Sequence, residues 1–448
     1  MSRWIETWEP ENAQFWERTG KRIARRNLWW SILAENIGFS VWLVWSITAT
    51  RLPAAGFKYT TDQLFALVSL PGLVGALMRF PYTFAVPRFG GRNWTVVSAL
   101  LLFIPTLALI ALVQRPDTPF TVMMLAAATA GLGGGNFASS MANISFFFPD
   151  REKGYALGLN AAGGNVGVAT VQLVVPIVVG GAAGGVVHLA NAGYMWLPFI
   201  VLAAVGASLF MDNLSTARSS LRDQLAVARH KHTWIISALY IGTFGSFVGY
   251  SAAFPLLVKT QFPMVTANLA FLGPLVGSLA RPVGGKLADR LGGARVTFWN
   301  FTAMALATGA VLWFLQAHAL GGFVASFLLL FVTTGIGNGS TFRMIPAIFR
   351  AHALQNAPGS DDITLAAAHA RARRESAAVI GIASAVGALG GFFIPRALGA
   401  SIKATGGASS AFAVFFACYF ACVVVTWWYY LRASFLVERM PSLAHANA

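Results

Sequence analysis

Two stretches decide the fold: "LMRFPYTFAVPRFGGRN" (77–93) and "LARPVGGKLADRLGGARV" (279–296). In each, an arginine inside an apolar run, Arg79 or Arg281, is followed nine residues later by a second, Arg88 or Arg290. One bulky apolar residue and a Gly–Gly pair come next, Gly90–Gly91 and Gly292–Gly293. The offset between the copies is 202 residues, close to half of the 448 in the chain. "GLGGGNF" (131–137) and "GIGNGSTF" (335–342) repeat at offset 204. Chance could supply one such match, but two at nearly one offset mark an internal duplication.

The duplicated unit belongs in a membrane. Charged residues make up 11% of the chain and hydrophobic ones 56%, whereas a soluble domain carries roughly 25% charged residues. Apolar runs of about 20 residues, the length that crosses the hydrocarbon layer, recur throughout. Twelve spans are predicted near 29–50, 63–86, 94–114, 120–148, 155–180, 194–211, 233–257, 265–286, 296–316, 321–349, 376–401 and 409–431. The polar stretch 212–233 divides them six and six and suits a connector on the membrane surface. Two copies in one orientation imply parallel halves related by an axis along the membrane normal. The expected fold is an all-α membrane protein of twelve transmembrane helices in two pseudo-symmetric six-helix halves. Residues 1–28 read as an N-terminal interfacial segment without a cleaved-signal pattern. Residues 29–211 form the first half, 212–233 a cytoplasmic linker, 234–431 the second half and 432–448 a cytoplasmic tail.

Loop charge sets the orientation. The side holding both termini carries 23 Lys and Arg; the opposite side carries five, and four fall inside spans. Both termini are therefore expected in the cytoplasm, with the protein multi-pass in the cytoplasmic (inner) membrane. The net charge of +16 is then a topology signal scattered over short loops, not a nucleic-acid surface.

"GGKLADRLGGAR" (284–295) resembles the cytoplasmic loop motif between the second and third helices of each half in the major facilitator superfamily. That resemblance implies a gating role for Asp289, Arg290, Gly292 and Gly293. The first half holds a degraded copy, with Pro87 where the second has Asp289. "GLNAAGGNVGVATVQLVVP" (158–176) and "GIASAVGALGGFFIP" (381–395) resemble the paired signatures of the nitrate/nitrite porter family, as does "NFASSMANISFFFP" (136–149). The likeness covers nearly the whole chain and implies twelve helices, alternating access and a nitrate or nitrite cargo.

The residues themselves point to a small anion. A charge at mid-membrane costs between about 3 and more than 10 kcal/mol and normally marks a pathway. Arg79 and Arg281 hold equivalent places in the two halves, so the pseudo-twofold predicts that they face each other across a central cavity. No acidic residue lies within ten positions of Arg79. A guanidinium offers a planar fork of donors suited to a planar oxyanion, and nitrate and nitrite fit that description. The competing reading, snorkelling to the interface, explains one arginine better than a symmetric pair. For Arg343, close to a helix end, snorkelling is the better reading; Arg396 is expected at the interface.

Gly163, Gly164, Gly167, Gly387, Gly390 and Gly391 read first as helix-packing positions, because small residues let helices approach within a bilayer. Asn165, polar within this stretch, is a candidate donor to the anion, and Ser384 its counterpart on the eleventh span. The family resemblance adds aromatic walls about the anion at Phe39, Phe137, Tyr240 and Phe244. Tyr240 can also donate through its hydroxyl.

Coupling has two readings. Moving an anion toward a negative interior costs about 2.3 kcal/mol per 100 mV, so net uptake needs a co-transported cation, whereas nitrate/nitrite exchange is electroneutral. Facing arginines favour exchange. Glu35, the one carboxylate placed clearly within a span and a helical turn from Phe39, favours a proton. Its alternatives are a salt bridge with Arg25 or Arg26, or an interfacial position.

Enzyme chemistry finds no support: the seven His have no metal-ligand spacing, the two Cys give no disulfide framework, and no Gly-Lys-Ser/Thr phosphate loop occurs. No cofactor is expected. A transporter-like nitrate sensor is the alternative of another class. The reading is a monomeric secondary transporter of nitrate and nitrite, with protons as a candidate third partner, rocking residues 1–211 against 234–431 within the lipid bilayer.

Overall fold

The computed structural model describes residues 3–180, 185–217, 226–265, 267–355 and 362–432. The expected tail past 432 and residues 218–225 of the expected linker lie outside the described residues. Twelve long helices follow one another within them: α1 (Ala13–Arg51), α2 (Thr61–Phe89), α3 (Gly91–Leu112), α4 (Phe120–Phe147), α5 (Asp150–Val179) and α6 (Asn191–Phe210). After the connector come α7 (Lys231–Gln261), α8 (Leu272–Leu291), α9 (Gly293–Gln316), α10 (Leu320–Gln355), α11 (Ala367–Thr405) and α12 (Ser409–Leu431). Eleven are long and apolar enough to cross a membrane; the exception is α8, whose 20 residues include Arg281, Lys286, Asp289 and Arg290. The chain is a multi-pass helical membrane protein.

Local chemistry fixes the helix ends. A capping box opens α2: the Gln63 backbone N–H donates to Thr60 Oγ1 at 3.3 Å, and the Thr60 N–H donates to the Gln63 side chain at 2.8 Å. The duplicated Gly–Gly pairs act alike. Gly90 at φ 86° and Gly292 at φ 88° sit where a Cβ is disfavoured and end α2 and α8. Gly91 and Gly293 then begin α3 and α9. The sequence repeat is thus also a repeat of backbone conformation.

The helices outrun several predicted spans. Helix α1 begins at Ala13 and α10 continues to Gln355, because hydropathy registers only the apolar part of a helix whose ends are amphipathic.

The chain groups into two compact units. The first comprises the described residues of Met1–Arg218, Val248–Ser278 and Ala388–Ala408. At one end of it Trp8, Trp16, Leu28, Phe147, Phe148 and Leu214 form a buried cluster. Trp4–Ile5 pairs in parallel with Asn213–Leu214, and Trp16 Nε1 donates to Glu152 at 2.9 Å. The N-terminal segment therefore packs on α4, α5 and the start of the connector. Elsewhere in this unit α2 meets α11 backbone to backbone: a Cβ on Gly72 would lie 2.5 Å from the Gly391 carbonyl oxygen and 2.9 Å from Phe392 N. In a bilayer such close approach, not apolar burial, supplies the packing energy. Beside that contact Arg396 donates to Asp62 at 3.3 Å and Lys403 pairs with the same carboxylate at 3.6 Å. Gln172, fully buried, ties α5 to Ser46 Oγ (3.0 Å) and to the Ser251 carbonyl (2.7 Å).

The second unit comprises the described residues of Ser219–Phe247, Leu279–Gly387 and Ser409–Ala448. Its core is aromatic: Phe327 packs on Phe323, Phe331 and Phe412 at 5.5–6.0 Å between ring centroids. Ser246 and Tyr419 share a 2.7 Å hydrogen bond between their hydroxyls. Helix α7 contains a wide π-type turn at Ile241–Gly245, a feature that frequently accompanies functional sites.

Candidate functional site

Each core arginine sits within its own unit, among its own partners. In the first unit Arg79 is fully buried on α2. Its Nε donates to the Gly134 carbonyl of α4 at 3.2 Å. The guanidinium carbon lies 4.6 Å from the Phe137 ring centroid and 5.6 Å from that of Trp42. Phe39 stacks on Phe137 at 6.2 Å and 22° between planes, so Phe39, Phe137 and Arg79 form a continuous layer. Trp42 is set by its indole N–H, which donates to the Pro71 carbonyl at 2.7 Å. It also needs the glycines of the repeated motif: a Cβ on Gly134 would come within 2.7 Å of its ring. Such a cation over aromatic faces contributes about 2 kcal/mol when desolvated.

The second unit builds a related cluster from different residues. Arg281, 4% exposed on α8, donates from Nη2 to Tyr240 Oη at 3.3 Å. Its guanidinium carbon lies 5.6 Å from the Phe342 ring centroid. Tyr240 stacks on Phe244 at 5.3 Å and 16°, with Phe244 inside the wide turn of α7. Gly387 faces this pair, since a Cβ there would meet the Tyr240 ring at 2.6 Å.

Asn165 is buried on α5, and its two side-chain polar atoms make no hydrogen bond among the described residues. Ser384 is buried and donates to the Gly381 carbonyl of its own helix at 2.9 Å. Gly390 faces Gly249, and Gly391 faces Gly72 and Val248.

Helices α1 and α5 are laced by polar contacts along the signature glycines. Asn36 Nδ2 donates to the Gly163 carbonyl at 2.9 Å, and Ser40 Oγ to that of Gly167 at 2.8 Å. Glu35 lies between them, 1% exposed. Its Oε2 accepts from Asn160 Nδ2 at 2.9 Å, and Asn160 also donates to Ser140 Oγ at 2.6 Å. Arg26 instead pairs with Asp212 at 2.6 Å. The helical rise from residue 26 to 35 is roughly 14 Å.

Two other arginines have acidic partners. Arg343 reaches Asp289 of the loop motif, Nε donating to Oδ1 at 2.7 Å. Arg396 pairs with Asp62. Arg290, Gly292 and Gly293 lie at the α8–α9 junction beside Asp289.

Trp42, Phe342 and Asn160 were not singled out in the sequence. Trp42 follows Phe39 by three residues on one helix face, and Asn160 stands one turn before Gly164 in the signature. Both spacings were readable. Phe342 ends "GIGNGSTF" as Phe137 ends "GLGGGNF", so the internal repeat marked it as well.

The family described as the Major Facilitator Superfamily matches residues 36–360. The chain is 46% identical to the nitrate/nitrite transporter NarU of Escherichia coli (strain K12), over 96% of this chain and 97% of that protein. It is 37% identical to a Thermus thermophilus protein named "Probable nitrate/nitrite antiporter NarK2", over 96% and 97% of the two chains. Among solved structures, a D-xylose-proton symporter superposes with TM-score 0.63 at 16% identity, covering 90% of this chain and 97% of that one. The last is a likeness of fold alone. Matching helices, duplicated loop motif and end-to-end similarity place the chain in the major facilitator superfamily, within its nitrate/nitrite porter family.

Proposed function

We propose that this protein carries nitrate and nitrite across the cytoplasmic membrane by alternating access, with both termini in the cytoplasm and Glu35 carrying a co-transported proton. The observation that carries the anion assignment is the burial of Arg79 and Arg281, each held against an aromatic face by a fixed hydrogen bond. Guanidinium groups so ordered present donors to a planar oxyanion without the entropic cost of arranging them. Tyr240, Phe39, Phe137, Phe244 and Asn165 complete the recognition set, and Ser384 has a lesser part.

Proton coupling is supported by the burial of Glu35 one turn before Phe39 on α1. One proton per nitrate cancels the electrical cost of anion entry, and a second adds driving force. A second reading is electroneutral nitrate/nitrite exchange, favoured by the name of the Thermus thermophilus relative. Proteoliposomes with independently set pH, voltage and internal nitrite separate the two. Uptake that follows an imposed pH gradient in the wild type and loses that dependence in Glu35→Gln supports the proton reading. Uptake that needs internal nitrite and ignores the pH gradient would overturn it.

A further inference from the structure

Glu35 does not rest against bare glycine by accident of helix packing; its place is built. Its Oε2 accepts from Asn160 Nδ2 at 2.9 Å. The same amide nitrogen donates to Ser140 Oγ at 2.6 Å, and Ser140 shares a 2.8 Å hydrogen bond with Ser31 Oγ. Three helices, α1, α4 and α5, thus contribute to one string of polar groups, each 9% exposed or less. On the other side the carboxylate occupies the space a side chain at 164 would need, because a Cβ there would lie 2.6 Å from Glu35 Cδ and Cγ. The Asn160 amide on one side and the Gly164 backbone on the other restrict a side chain that otherwise has several rotamers.

We propose that Asn160 is the positioning residue for Glu35, holding its carboxylate in the Gly164 notch where it takes up and releases the transported proton. Ser140 and Ser31 fix the Asn160 amide in turn. Asn160 donates to Glu35, Ser140 and Met141, so its effect is expected on proton drive and not on anion recognition. Glu35 and Phe39 stand four residues apart on α1, and Phe39 stacks on Phe137, over which Arg79 lies. The orientation of Glu35 is thereby tied to the anion-binding layer through one helical turn. This inference rests on the proton reading given above.

The test is purified full-length protein in liposomes, with two fluxes measured on each variant: nitrate uptake driven by an imposed pH gradient, and counterflow of labelled nitrate with no gradient. Asn160→Ala should lose about tenfold in gradient-driven uptake, the scale of a lost hydrogen bond to a charged group, while its counterflow KM for nitrate stays at the wild-type value. Asn160→Ser, which keeps a hydroxyl donor, should fall between the two and carries the same comparison if the alanine variant fails to fold. Equal loss of both fluxes in Asn160→Ser would make the role structural and overturn the proposal. Full gradient-driven uptake by the Asn160 variants, with loss in Glu35→Gln, would overturn the positioning role and leave the proton reading standing. Retention in Glu35→Gln would instead overturn the proton reading itself.

Discussion

Replacing Gly164 with alanine is the smallest change that tests the α1–α5 seam. The added methyl would sit 2.6 Å from Cδ and Cγ of Glu35, about 1 Å inside the usual carbon–carbon contact of roughly 3.5–4.0 Å. Withdrawal of α5 from α1 would stretch the bonds that Asn36 and Ser40 donate to the Gly163 and Gly167 carbonyls. Glu35 must therefore turn away, breaking the 2.9 Å bond from Asn160. Overpacking of this kind costs about 1–3 kcal/mol, and a hydrogen bond to a charged group is worth about 1.5–3 kcal/mol. If on the order of 3 kcal/mol falls on the proton-transferring state, gradient-driven uptake drops about a hundredfold. The assay is initial-rate nitrate uptake in proteoliposomes under an imposed pH gradient, with Gly163→Ala, which crowds Ile32 instead, as the control. Gradient-driven uptake at the wild-type rate in Gly164→Ala would refute the reasoning.

Arg281→Lys keeps the charge but loses the guanidinium fork that reaches Tyr240 and that the proposed function assigns to the anion; nitrate KM should rise about tenfold or more, and an unchanged KM in uptake assays would contradict bidentate recognition. Gly90→Ala and Gly292→Ala force a side chain into φ near +90°, so each should lose about 1–3 kcal/mol, seen as a lower thermal unfolding midpoint. Unchanged midpoints would count against the duplicated turn. Asp62→Asn removes the partner of Arg396 and Lys403, but these side chains are 24–72% exposed. Such pairs contribute at most about 1 kcal/mol, so the unfolding midpoint should barely move, and a large fall would show a stronger latch than geometry suggests.

The duplication, the twelve helices and the two core arginines were legible because each leaves a local mark: a repeated motif, an apolar run, a charge where charge is costly. Contacts between residues far apart in the chain left weaker marks. Gly164 read as a packing glycine because spacing reveals a small residue but not what fills the gap it leaves. The pairing of Arg343 with Asp289 was not legible because the two lie 54 positions apart. The packing of Trp8 and Trp16 on Phe147, Phe148 and Leu214 left no mark, because amphipathic composition does not name the distant residues a segment packs on. The order of Phe39, Phe137 and Arg79 into one layer required the three helices to be assembled.

The pairing of Trp4–Ile5 with Asn213–Leu214 bears on how the protein is made. The first of these strands leaves the ribosome while its partner is still some 200 residues from synthesis, an interval of roughly 10–40 s at ordinary translation rates. Throughout that interval Trp8 and Trp16 lack Leu214, and for most of it they also lack Phe147 and Phe148. Six helices must be inserted before the segment can settle. The short β-pair is therefore the last stitch of the first half to be sewn, and a nascent chain holding it has finished inserting that half.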